Sequence, residues 1–253
     1  MLSAANTNYR FDQKRLPSRR PRVTFVIGIK CMDGLVMAAD TLEGDTVVKR
    51  YPNKLEQEQK IGWGALWGGS GHARVADKFS EKFKQSLQRV GHYDRDKIVD
   101  KMESVLRFIS ERYRPEDGIE VVMALYGPRK KLPGLEWNLY KGDSRSICTS
   151  IQKYYSCAGT GDSSLANFIL GSAHRWDHKV ADCEKLAVWT SLLMKKYADG
   201  VGGQTIVFTL LNNPKRSQWT PLMPDYIKII ESSLTIEETE GVIKRYWNEK
   251  REA

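Results

Sequence analysis

Thr24-Phe-Val-Ile-Gly-Ile-Lys-Cys-Met-Asp-Gly-Leu-Val-Met-Ala-Ala-Asp40 is the stretch whose reading decides the fold. Residues 24–30 and 34–40 are apolar runs of strand length, and the Met-Asp-Gly sequence between them is turn chemistry. The first run is headed by a hydroxyl residue and the second ends in a carboxylate. A hydroxyl at the head of a buried strand becomes a nucleophile when a free amine stands beside it.

Outward from this hairpin, residues 44–50 and the apolar run around Ala65–Trp67 predict further strands in an antiparallel set. Two amphipathic helices follow. One covers 72–90, with Val75, Ala76, Phe79, Phe83 and Leu87 at helical spacing. The other covers 95–113, with Ile98, Met102, Val105, Leu106, Ile109 and Tyr113, and Asp94 as its N-cap. Strands return at Glu120–Tyr126, Leu135–Tyr140 and Tyr154–Cys157. Helices are expected at 163–173 and 180–198, strands at 204–212 and 217–222, and a last helix at 235–249 with Val242, Ile243 and Tyr246 on one face. Strands grouped with strands and helices grouped in pairs exclude an alternating βαβ chain. The fold class expected is α+β, a four-layer αββα sandwich of two stacked antiparallel sheets, each covered by a helix pair.

Composition narrows the function classes. The chain has 253 residues, 41% of them apolar, enough for a full core. No apolar run reaches the length of a membrane span, so no membrane partner is expected. Cys31, Cys148, Cys157 and Cys183 form no CxxC pair and read as buried thiols of a reducing, cytoplasmic compartment. The net charge of +9 invites a nucleic-acid reading. However, residues 1–22 hold six basic residues against one acid, so more than half of the surplus lies there. That distribution argues against nucleic-acid binding by the body. Residues 1–23 read as a basic, disordered leader and 24–253 as one folded domain. His174 and His178 stand four apart but lack a third ligand, so no metal site is expected.

The element order, the Thr24…Gly28…Gly34…Asp40 spacing and the Gly68-Gly69-Ser70-Gly71 turn resemble a proteasome β-type subunit, within the N-terminal-nucleophile (Ntn) hydrolases. The resemblance also extends to the bacterial two-component ATP-dependent protease of that fold and covers roughly residues 24–223. It implies the following roles. Thr24 is the nucleophile, Asp40 the buried acid, Lys54 the lysine beside the nucleophile, and the Gly69 amide an oxyanion donor. Thr160, in Ala158-Gly-Thr-Gly161, and Asp199, in Asp199-Gly-Val-Gly-Gly203, orient the amine. Three departures are visible. The Asp40–Lys54 interval is two residues shorter than is typical, Gly202 stands where a serine is usual, and Val23 stands where self-processing members have glycine.

The resemblance further implies a threonine-type peptidase that degrades polypeptides within a homo- or hetero-oligomeric ring, with an ATP-dependent unfoldase as possible partner. No metal or organic cofactor is required. The α-amine, with an ordinary pKa of about 7.7–8.0, takes the hydroxyl proton. Lys54 keeps it partly neutral, and Asp40 holds Lys54. This chemistry requires Thr24 to be the first residue of the mature chain. Removal of residues 1–23 as a propeptide, or translation from a valine codon at 23 followed by trimming, would each supply that. The rivals are a non-catalytic ring subunit of the same fold, a small-molecule Ntn amidase, and a basic binding protein acting through its leader. Trp67, two residues before Gly69, is either a wall of the specificity pocket or plain core.

Overall fold

The computed structural model describes residues 25–44, 49–50, 54–129, 134–159, 163–198, 201–212, 218–233 and 241. The elements run β1 (Phe25–Cys31), β2 (Gly34–Asp40), β3 (Glu43–Gly44), β4 (Lys49–Arg50), β5 (Leu55–Lys60), β6 (Trp63–Gly71), α1 (Ala73–Gln88) and α2 (Arg95–Arg112). They continue with a 3-10 turn at Pro115–Asp117, then β7 (Ile119–Pro128), β8 (Leu135–Asp143), β9 (Cys148–Gln152), β10 (Tyr155–Gly159), α3 (Ser163–Ala173), α4 (Val180–Tyr197), β11 (Thr205–Leu211), β12 (Thr220–Pro221) and α5 (Pro224–Ser233). One sheet has the order β10-β1-β2-β11-β12, a second β5-β6-β7-β8-β9, and β3 pairs only with β4. All pairings are antiparallel. The expected αββα sandwich is the fold.

Three apolar layers account for the stack. Phe25, Ile27, Ile29, Val36, Ala38 and Val207 point from the first sheet to α3 and α4. Val26, Leu35, Met37, Ala39, Phe208 and Leu210 point inward against Leu66, Val122, Ala124 and Leu139 of the second sheet. The outer face of that sheet carries Trp67, Val121, Met123 and Leu125 beneath α1 and α2. Alternate residues of β1 and β2 therefore enter two different cores, which is why their sequence shows no polar alternation. The α1 and α2 contacts come from Val75, Phe79, Phe83 and Leu87 and from Ile98, Met102, Val105, Leu106 and Ile109.

Two turn residues cap helices, one next to its helix in sequence and one far from it. Asp94 caps α2, accepting from the Lys97 amide at 3.3 Å. Asp33, in the β1–β2 turn, accepts from the Val180 amide at 2.7 Å and so caps α4, which tethers that helix to the hairpin. The glycines of the hairpin are steric. A Cβ at Gly34 would lie 1.8 Å from the Leu210 carbonyl oxygen, and one at Gly28 would lie 2.5 Å from Leu139 Cδ1 and 3.0 Å from Val122 Cγ1. Gly28 thus sets how closely the two sheets approach.

Several elements differ from expectation. β5 and β9 lie in segments where no strand was foreseen, and α5 was not foreseen at all. The strand expected at 44–50 is the two short ends β3 and β4, with residues 45–48 outside the described residues. The leader 1–23 also lies outside them, as does the helix expected at 235–249 apart from residue 241. Among the described residues no helix is long and apolar enough to cross a membrane.

Filling the Gly28 notch should force the sheets apart. Gly28→Val is expected to lower unfolding free energy by about 1–3 kcal/mol, the usual cost of overpacking. Urea denaturation checks this, and an unchanged midpoint would show that the sheets are not held that closely.

Candidate active site

Asp40 ends β2, Phe25 opens β1, and Lys54 is the residue before β5. Asp40 and Phe25 belong to the first sheet and β5 to the second, so the site forms where the two sheets meet at one end. Asp40 is fully buried, and its carboxylate is matched by three donors. Oδ1 accepts from the Lys54 ammonium at 2.8 Å and from the Phe25 amide at 3.0 Å, and Oδ2 accepts from the Gly202 amide at 3.1 Å. Lys54 also donates to the Leu42 carbonyl at 2.5 Å, and its side chain is only 8% exposed. Burying this pair is affordable only because both charges are paired and hydrogen-bonded.

The loop of residues 201–204 is laced to the end of β2. Leu42 N–H donates to Gly202 O and Thr41 N–H to Gln204 O, both at 3.0 Å, and Gln204 N–H donates to Thr41 Oγ1 at 2.8 Å. Gly203 adopts φ +72°, a conformation that favours glycine. A Cβ at Gly202 would lie 2.9 Å from Leu42 Cδ2. At Gly202 it is the backbone N–H that bonds to Asp40.

Gly69 lies in β6 just past the described pairing with β5, which runs to Leu55↔Gly68, while pairing with β7 continues to Gly71↔Ile119. The steric requirement for glycine falls on Gly68, where a Cβ would meet Val26 Cγ1 at 2.9 Å and Leu55 Cδ2 at 2.8 Å. At Gly69 the nearest atom would be 3.6 Å away.

The structure thus brings together Asp40, Lys54, the Phe25 amide and the 202 amide, with Gly68 against Val26. Thr24, Thr160 and Asp199 lie outside the described residues. Trp67 is core and not a pocket wall. Its ring meets Phe83 edge-on at 5.0 Å, and its indole N–H donates to Ser80 Oγ at 2.9 Å, so it faces α1. His174 is engaged elsewhere, with Nε2 3.1 Å from the Lys30 carbonyl. Among the described residues no group of three or more metal-ligating side chains gathers. Cys31, Cys157 and Cys183 are free and buried. The Cys31 thiol donates to the Ile29 carbonyl at 3.8 Å, and the neighbouring Cys183 together with burial raises its pKa and keeps it protonated.

One network beside Asp40 was not read from the sequence. Thr205 of β11 is the cross-strand partner of Asp40. Its hydroxyl accepts from Lys195 of α4 at 2.6 Å, and Lys195 faces Glu231 of α5 at 3.6 Å. Burial holds the Lys195 pKa below the ordinary lysine value, while Glu231 and Asp40 pull it back up. The three residues come from three elements, and no spacing announces them.

The chain matches no protein-family model and no curated protein. Solved structures do share its fold. Anbu (ancestral beta-subunit) from Yersinia bercovieri superposes with a TM-score of 0.69 at 12% identity, covering 88% of this chain and 96% of that one. Anbu from Hyphomicrobium sp. strain MC1 gives a TM-score of 0.69 at 11% identity, covering 88% and 97%. These likenesses correct the expectation of a proteasome β-type subunit. The structures the chain resembles are Anbu proteins, at identities that establish a shared fold.

Proposed function

We propose that this chain is an amidohydrolase of the N-terminal-nucleophile type, acting on peptide bonds, with the Thr24 hydroxyl as nucleophile and the Thr24 α-amine as base. The observation that carries the reading is the buried Asp40–Lys54 pair bonded to the amide of Phe25, the residue that follows Thr24. It fixes the backbone at the residue that follows the proposed nucleophile. Strand alternation would put Thr24 on the inter-sheet face with Val26 and Gly28. The Gly69 amide is assigned to the developing oxyanion. Thr160 and Asp199 are assigned the orienting of the amine.

In this scheme the amine takes the hydroxyl proton as the oxygen attacks the scissile carbonyl. The amine then protonates the leaving nitrogen. The resulting acyl ester on Thr24 is hydrolysed by water activated by the same amine. The Lys54 charge lowers the affinity of the amine for its proton. A second reading, a non-catalytic protein of the same fold, is favoured by one feature: Val23 precedes Thr24 where self-processing would be served by glycine.

Three outcomes follow from the first reading. Thr24→Ala should abolish cleavage of short fluorogenic peptides by ~10³-fold or more, and a variant that cleaves at the wild-type rate would end the proposal. For the wild type, kcat/KM should rise with pH along a single limb whose apparent pKa lies below about 7.7–8.0. A flat profile would remove the amine as base. Lys54→Met leaves Asp40 buried with its counter-charge gone, and unfolding free energy should fall by about 3–5 kcal/mol. A loss under about 0.5 kcal/mol, within the scatter of ordinary surface substitutions, would mean that the pair does not hold this end of the sandwich.

A further inference from the structure

The outermost helices carry charge that the candidate site does not use. On α1, Lys78, Lys82 and Arg89, the last capping the helix, recur at four- and seven-residue spacing. On α2, Lys97, Lys101, Phe108 and Arg112 do the same. Such spacing keeps each set on one stripe of its helix. One contact joins the stripes: Lys82 Nζ of α1 lies 5.0 Å from the centre of the Phe108 ring of α2, over which the Arg112 guanidinium carbon of the same helix also lies, at 4.6 Å. The two rows therefore line one groove between α1 and α2, on the side away from the second sheet.

Lys78 is paired with Glu81 at 2.7 Å. Lys82, Arg89, Lys97, Lys101 and Arg112 make no ion pair among the described residues. Asp94 and Asp100 stand three residues to either side of Lys97, whereas Lys82, Arg89, Lys101 and Arg112 have no carboxylate three or four residues away on their own helix, so that part of the row stands uncompensated. Such a row costs stability through self-repulsion, and an acidic partner would remove that cost.

We propose that the α1–α2 groove is a docking surface for an acidic segment of another polypeptide. Residues four apart on a helix are separated by about 6 Å along its axis. Carboxylates repeat at a similar interval of about 6–7 Å on alternate residues of an extended chain, so one acidic segment can meet successive lysines. The alternative anionic polymer, single-stranded nucleic acid, binds by combining a basic groove with aromatic rings on which bases stack. The groove aromatic is Phe108, and two cations already sit over its ring, so it offers no stacking platform. The charge pattern serves either polymer; the blocked ring favours the peptide. This surface is independent of the Asp40–Lys54 site.

The test uses the full chain and a fluorescein-labelled decaglutamate peptide, with binding read by fluorescence anisotropy at about 50 mM salt, where screening is weak. The double variant Lys82→Glu, Lys101→Glu should weaken binding at least tenfold. Arg107→Glu, on the opposite face of α2, should change it less than twofold. Circular dichroism confirms folding, and should charge reversal unfold the protein, the neutral pair Lys82→Gln, Lys101→Gln replaces it with at least a threefold loss expected. Absent binding by the wild type, equal binding by the groove variants, or tighter binding of an oligothymidylate of the same charge would each overturn the proposal.

Discussion

One buried carboxylate organises this end of the molecule. Asp40 accepts from an ammonium and two backbone amides, and each donor comes from a different stretch of chain: Lys54 before β5, Phe25 at the start of β1, and Gly202 in the loop ahead of β11. An isolated charge at this depth would be expelled or neutralised. With all its bonds made it fixes the relative position of the segments that hold it. Since Lys54 abuts β5 of the second sheet and Asp40 ends β2 of the first, the ion pair also ties sheet to sheet.

The opposite end of the sandwich is tied by different means. The β1–β2 turn is drawn to α4 by the Asp33 cap, and Trp137 of β8 donates its indole N–H to the Cys31 carbonyl at 3.2 Å, again crossing from sheet to sheet. Between these ends Gly28 lets Leu139 and Val122 close on β1. The result is a stiff frame in which the first residue of β1 is held from several directions. Such a frame suits chemistry that needs a chain terminus presented at a fixed place, because pre-organised geometry supplies much of what catalysis requires.

The fold was legible from the hairpin outward because its cause is local. Residues 25–31 and 34–40 are apolar at nearly every position, and only a strand with cores on both sides explains that. α1 and α2 were legible from their spacing, and α4 from its length. β5 was missed because Leu55-Glu-Gln-Glu-Gln-Lys60 is an edge strand whose sole buried residue is Leu55, so its sequence looks like exposed chain. α5 was missed because only Ile227 and Ile230 are buried. Within the site, Asp40 and Lys54 were placed by motif despite the shortened interval between them, and the contact expected of the pair is the one the fold makes. The Lys195–Thr205–Glu231 network had no sequence signal, because proximity across α4, β11 and α5 is a product of tertiary packing. The family name went astray for a related reason. The αββα order and the glycine pattern reflect the sandwich itself, and the sandwich is shared beyond any one branch.

The central claim is that the frame around Asp40 exists to present a free amine on Thr24. The mass of the native protein, with its N-terminal peptide sequenced, tests this directly. The account predicts a mature chain beginning at Thr24. A chain that begins at Met1, with Thr24 locked in a peptide bond, would contradict it.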